Sequence, residues 1–282
     1  MGRGSRLLTR HSVRNRGLSS VRDVNRQRVK IGQLEIDPLT FSEALERIAE
    51  LVDRRNGGAV FTPNVDHIVK AERHASFRLA YDRADLSLAD GMPLIWASRL
   101  LGSPLPEKVS GSDLVLPLMH IAAERRWRVY LLGGAPGVAE AAAERLDREV
   151  GAQIVGTDSP VVDLDGAPGD PELMLERLRG ARPDVVLVAL GAPKQELWIE
   201  LFADRIRPAV AIGVGGSLDF VAGKVKRAPA WMSRAGLEWL FRLVQEPRRM
   251  WRRYLVEDPA FIAIVVRSRR RARRTCRSES TG

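Results

Sequence analysis

This chain is almost without cysteine. Its one thiol, Cys276, lies in an arginine-rich stretch near the C-terminus, so a disulfide framework, a structural zinc site and a cysteine nucleophile are excluded by composition. Histidine is scarce, at four residues, and no His/Cys/carboxylate group falls at metal-ligand spacing, so no metal is expected. Long apolar runs are missing too. The stretch Pro259-Ala-Phe-Ile-Ala-Ile-Val-Val266 falls well short of the ~18 residues a membrane-spanning helix needs. The amino end holds arginines but no apolar core, so a secretory signal is not expected, and it is not amphipathic enough for a transit peptide. A Gly-x-Gly-x-x-Gly turn with its distal acid is also lacking, which argues against a nicotinamide-dependent oxidoreductase.

What is present is a body long enough for a sizeable core in one or two domains, at 282 residues and 45% hydrophobic. The net charge of +10 is unevenly spread. Residues 1–30 carry +8 and residues 267–282 carry +6, leaving the body at −4. Within that body, residues 224–253 carry +7. The basic character therefore belongs to two tails, expected to be disordered, and one internal segment. Such tails suit anionic lipid, nucleic acid or solvent alone. An acidic body without a nucleic-acid motif makes nucleic acid the weaker partner.

Short β-branched runs alternate with amphipathic stretches. The spacing predicts strands at 58–62, 85–89, 127–132, 152–156, 184–190 and 209–213. Helices are expected from the capping box Thr40-Phe-Ser-Glu43 to Arg54, after Asn64, before Asp85, and from Asp90-Gly91 to Leu101. Four more are expected over 113–125, up to Val150, over 171–180 and over 194–206. This order implies an α/β fold, a Rossmann-like parallel sheet with helices on both faces. From Trp231 the pattern is helical, so the expected organisation is a sheet domain over 31–230 and a helical Arg/aromatic appendage over 231–266.

In such sheets ligands bind at the carboxyl ends of the strands. Gly191-Ala-Pro-Lys-Gln-Glu196 puts a lysine, an amide and a carboxylate there, where a plain connector would carry turn residues. Gly133 and Gly134 read either as a phosphate-binding turn or as a tight strand-to-helix turn. Gly213, Gly215 and Gly216 allow backbone amides close to a ligand, with Asp219 able to grip a ribose or uracil edge; the alternative is a flexible loop. Asp90 reads equally as a helix cap or as a general base beside Thr62 and Asn64. His67 is read as a packing histidine. Asp163-Leu-Asp165 has an Asp-x-Asp metal pattern, but its loop is rich in Asp, Pro and Gly, and it is rejected as a metal site. Trp231, Trp239, Phe241, Trp251 and Tyr254 interleave with arginines, which a solvated basic face would not carry; they suit a helix interface or the headgroup level of a membrane.

Taken together, Thr62-Pro-Asn64, Asp66-His67, Leu88-Ala-Asp-Gly91, Gly111-Ser-Asp113, Leu131-Leu-Gly-Gly134, Leu190–Glu196, Gly213–Phe220, Lys226-Arg-Ala-Pro229, Leu237-Glu-Trp239 and Glu246-Pro-x-Arg249 resemble the WecG/TagA/CpsF family of bacterial glycosyltransferases. The likeness runs from about Ile31 to Val266. It implies inverting, metal-independent transfer from a UDP-sugar to a polyprenyl-diphosphate-linked sugar, with no cofactor. It assigns the base role to Asp90, with Thr62 and Asn64 beside it at the acceptor pocket. The glycine loops, Gln195 and Glu196 would then line the donor. The leaving group needs positive charge, and Arg242, Arg248, Arg249, Arg252 and Arg253 are the candidate sources. The resemblance further implies a cytoplasmic protein, peripheral at the inner face of the membrane, and the apolar stripes leave room for a homo-oligomer. Two departures stand out. Lys108 occupies a position where relatives carry arginine, keeping charge but losing the planar fork. The loop Thr157-Asp-Ser-Pro-Val-Val162 lacks a glycine-aromatic pair common in relatives, which points to a different donor-sugar contact.

Overall fold

The computed structural model describes residues 27–225, 229, 232, 238–245 and 259–279. Six strands, β3 (Gly58–Phe61), β4 (Leu86–Ser87), β5 (Val129–Gly133), β6 (Ile154–Asp158), β7 (Val185–Ala189) and β8 (Val210–Gly213), form one sheet in the order β4-β3-β8-β7-β5-β6. Every pairing in it is parallel. Central strands buried on both faces read as unbroken β-branched and apolar runs. Val185-Val-Leu-Val-Ala189 is such a run, and all five of its residues are buried.

Alternation along the strands divides the core in two. Val60, Val129, Leu131, Leu187 and Ile212 pack beneath helices α1 (Phe41–Arg54), α5 (Gly111–Arg125), α6 (Val138–Val150) and α9 (Ser217–Val221). Phe61, Tyr130, Leu132, Val186 and Val188 face α2 (Val65–Arg73), α3 (Ala75–Asp82), α7 (Pro171–Ala181) and α8 (Lys194–Phe202). Each fully buried large side chain contributes roughly 1.5–3 kcal/mol by leaving water. The capping box at Thr40 forms as the sequence predicts, with Glu43 returning to the Thr40 amide at 2.8 Å.

Three features depart from the sequence reading. Strands β1 (Val29–Ile31) and β2 (Leu34–Ile36) make an antiparallel hairpin turned at Gly32, with Arg28 holding Asp37 at 3.0 Å. The hairpin thus opens inside the stretch counted as a basic tail. The C-terminal helix Pro259–Glu279 likewise runs through residues counted as tail. Its Phe261, Ile264 and Val265 join the same core as the hairpin and Ile95 of α4 (Met92–Leu101), so part of the C-terminal region is core rather than appendage. Finally, the helix expected over 194–206 tightens to a 3₁₀ turn at Ala203–Ile206 before Pro208.

Candidate active site

The parallel ladder carries on past the ends of β3 and β4. Leu88 N–H donates to Phe61 O at 2.8 Å, and Asp90 N–H donates to Pro63 O at 2.8 Å. Asp90 therefore stands alongside the Thr62–Asn64 turn, half-buried, with Gly91 at φ 111 leading into α4. Thr62 is buried, and its hydroxyl donates to Gly213 O of β8 at 3.2 Å. The N-terminus of α5 closes in from the other face: a Cβ on Gly111 would meet Thr62 Oγ1 at 3.2 Å and the Val214 backbone at 3.3 Å. Thr62, Asn64, Asp90, Ser110–Asp113 and the Gly213–Gly216 loop are thus gathered at one end of the sheet. Lys108 sits at this end too, its ammonium 2.9 Å from Asp113 Oδ2, an oxygen that also accepts from the Ser110 hydroxyl at 2.6 Å.

The other glycines of this edge divide by what surrounds them. At Gly133, with φ 104, a Cβ would strike Ala189 O at 2.6 Å, and at Gly134 it would press Val138 at 3.0 Å. These two are demanded by the close approach of β5 to β7 and α6. Gly191 (φ 74) and Gly215 (φ 54) face open space, with no atom near the added Cβ. Asp219, half-buried, follows within the short helix α9.

Gln195 and Glu196 lie beneath these loops, at 2% and 0% exposure. They do not front the open edge, because the first turn of α8 lies in the layer under β3 and β8. Gln195 Oε1 accepts from Gly215 N–H at 2.9 Å, and its Nε2 donates to Glu196 Oε1 at 2.7 Å. Burial pushes the Glu196 carboxyl up to about 8. His67 Nε2 stands 3.9 Å from the same Oε1, while its Nδ1 meets the Tyr81 hydroxyl at 3.1 Å and the Asn64 amide at 3.4 Å. Tyr81 is raised well above its ordinary value by burial first, then by the charges of Glu196, Asp66 and Asp90. Sequence reading passed over Tyr81 entirely. It lies on α3 among Phe61 and Phe77, where nothing local sets it apart from a core aromatic.

A model of the glycosyl transferase WecG/TagA/CpsF family matches residues 29–275. The chain belongs to this family. It is 34% identical over 220 residues to the N-acetylglucosaminyldiphosphoundecaprenol N-acetyl-beta-D-mannosaminyltransferase of Bacillus spizizenii, covering 78% of this chain and 82% of that relative. A protein of the same description from Staphylococcus aureus is 28% identical over 252 residues, covering 89% of this chain and 96% of its own length.

Of the arginines that the resemblance offers to the leaving group in this WecG/TagA/CpsF chain, Arg242 falls on the helix Glu238–Gln245, but its side chain is outside the described residues. Arg248, Arg249, Arg252 and Arg253 also lie outside them. The Asp-x-Asp loop has a local structural explanation. Asp163 Oδ1 accepts from the amides of Asp165 and Ala167 at 2.9 and 2.8 Å, closing its own turn. Among the described residues no helix is long and apolar enough to cross a membrane. A broad cleft of about 840 Å³ opens at the opposite, amino end of the sheet, lined by Arg55, Arg128, Arg179, Arg182 and Asp184. It is remote from the residues gathered around Asp90.

Proposed function

We propose that this chain moves a hexose, N-acetylmannosamine or a related sugar, from a UDP-sugar to a polyprenyl-diphosphate-linked N-acetylglucosamine, with inversion and without a required metal. The names of the relatives supply the acceptor class and the sugar. The observation that carries the reading is Asp90: a half-buried residue at a strand's carboxyl end whose backbone N–H donates to Pro63 O, which sets its carboxylate beside the Thr62–Asn64 turn. In the proposed step, the Asp90 carboxylate takes the proton of the acceptor hydroxyl. The freed oxygen pair forms a bond to the anomeric carbon on the face away from UDP. The bond from that carbon to the diphosphate oxygen breaks, and its electron pair leaves with UDP. A positioned base contributes typically 10²–10⁴-fold.

Thr62 and Asn64 fit the acceptor side of this pocket. Gly133, Gly134, Gly191, Gly215, Gly216 and Asp219 fit the donor side, with Gln195 and Glu196 supporting the β8 loop from below. Lys108 and the arginines Arg242, Arg248, Arg249, Arg252 and Arg253 are the proposed counter-charge for the departing diphosphate. The basic N-terminal stretch and the arginines of the C-terminal helix suit the anionic surface that carries a lipid acceptor, at the cytoplasmic face of the membrane. The test is UDP release from a panel of UDP-sugars, with lipid-diphosphate-GlcNAc and EDTA present, by wild type and Asp90→Asn. Acceptor-dependent release that collapses in the variant supports the reading and identifies the donor. Equal release by both proteins removes Asp90 from the role of base.

A further inference from the structure

A fully buried carboxyl group is an expensive residue to keep unless something needs it. Glu196 is wholly inaccessible, and its Oε2 finds no hydrogen-bond partner among the described residues, an arrangement that disfavours folding relative to an apolar side chain of the same size. The other oxygen stands at a junction. On one side it receives Gln195 Nε2 at 2.7 Å, and Gln195 Oε1 receives Gly215 N–H at 2.9 Å. Both ends of that amide are specified, because the Gly215 amide can only donate and Glu196 Oε1 is the acceptor for its NH₂. On the other side His67 faces Oε1 at 3.9 Å. The Asn64 backbone N–H points at His67 Nδ1, so that nitrogen is an acceptor, the Tyr81 hydroxyl donates to it, and a neutral ring carries its proton on Nε2, toward Glu196. Asn64, His67, Glu196, Gln195 and Gly215 thus lie in line from the half-buried β3 turn to the half-buried β8 loop, hydrogen-bonded at each step except the 3.9 Å approach of His67 to Glu196.

We infer that Glu196 is a positioning residue that fixes the acceptor-side turn at Asn64 and the donor-side loop at Gly215 in one relative arrangement. This rests on the transferase reading of the same site. A carboxyl protonated near neutrality, as burial makes this one, still accepts through Oε1, so glutamine can stand in for it where methionine, of similar length, cannot.

The experiment is hydrogen–deuterium exchange of the full chain, with donor and acceptor KM measured on the same samples. Glu196→Met should raise exchange about tenfold in 213–217, as expected when the buried hydrogen bond to Gln195 is lost, and by a smaller factor in 62–67, where His67 loses only a 3.9 Å polar contact, and should raise both KM values. Glu196→Gln should restore most of the protection. Gln195→Met should loosen only 213–217 and raise only the donor KM. The coupling is overturned if Glu196→Met leaves either segment as in wild type, or if glutamine is as damaging as methionine. Should Glu196→Met fail to fold, Gln195→Met decides: loosening of both segments alike, or of neither, overturns the proposal. A wild type that turns over no UDP-sugar would defeat the proposed function, while the exchange data would still decide the coupling.

Discussion

At the amino ends of the strands, the described non-glycine residues with positive φ are Arg55, Arg126 and Arg182, which end α1, α5 and α7. At the carboxyl ends positive φ is taken by Gly91, Gly133, Gly134, Gly191 and Gly215, whereas the amino edge mixes its three arginines with Gly57 and Gly151. The two edges also treat polar groups differently. The amino edge keeps its arginines in water, as in the exposed Arg55 that meets the largely buried Asp184 at 3.0 Å. The carboxyl edge buries Thr62, His67, Gln195 and Glu196, each of which costs free energy unless its bonds are made. Arginine at a helix C-terminus complements the helix dipole, so the amino edge reads as built for stability. At Gly133 the carboxyl edge gives up a side chain for close backbone approach, and it buries a fixed polar arrangement that costs stability, which is how a site differs from a scaffold.

The comparison breaks most sharply at Asp90. Asp90→Asn should lower kcat by roughly 10²–10⁴-fold with little change in the unfolding midpoint. A variant that transfers normally would leave the carboxyl edge without its proposed chemistry. Next in size is Gly133→Ala. Its new Cβ would lie 2.6 Å from Ala189 O at φ 104, so urea unfolding should show a loss of at least about 1–3 kcal/mol. Gly191→Ala, strained at φ 74 but with nothing near its Cβ, should lose only about 1 kcal/mol. Equal losses would mean that backbone conformation, and not the approach of β5 to β7, decides this edge.

Glu196 sharpens the contrast through pH. Its carboxyl is held at about 8 by burial, against an ordinary value of 4.5. Between those values the unfolded chain has released a proton that the folded chain keeps, so this group's contribution to stability falls as pH rises and the full penalty is present above about 8. Asp66 and Lys70 of α2, His67, Tyr81 and Gln195 surround it. Glu196→Gln should therefore gain stability over wild type, by more at about pH 8 than at about pH 5. A gap that does not change with pH would show that the glutamate titrates normally.

Much of this edge was legible in the chain itself. β7 and the turn after it announce themselves locally, as an unbroken Val185–Ala189 run stopped by glycine, and the register that sets Asp90 beside Pro63 follows from two adjacent parallel strands. The hairpin Val29–Ile36 was not legible, because two three-residue strands carry too little alternation to stand out directly after an arginine-rich stretch. Nor was the burial of Gln195 and Glu196. Polar residues opening a helix after a glycine look like a loop that faces solvent, and only the packing of α8 under β3 and β8 turns them inward. The meeting of His67 and Tyr81, on the consecutive helices α2 and α3, with Glu196 depends on α8, far away in sequence, so no local spacing encodes it.

The smallest expected effect tests the amino edge. Arg182 ends α7 at φ 45 and ψ 57, a conformation that costs a residue with a Cβ roughly 1 kcal/mol or more and costs glycine little. Against this, its charge near the helix C-terminus is worth about 0.3–1 kcal/mol at low ionic strength, and salt screens it. The Arg182 carbonyl, which accepts from Arg128 Nε at 3.0 Å, is kept by any substitution. Arg182→Gly should then be close to neutral in dilute buffer and stabilising by about 0.5–1 kcal/mol in high salt, with transfer unchanged in both. A stability difference that ignores salt would remove the dipole from the account. A fall in transfer rate would do more, since it would make the arginine edge part of the machinery and erase the division between the two ends of the sheet.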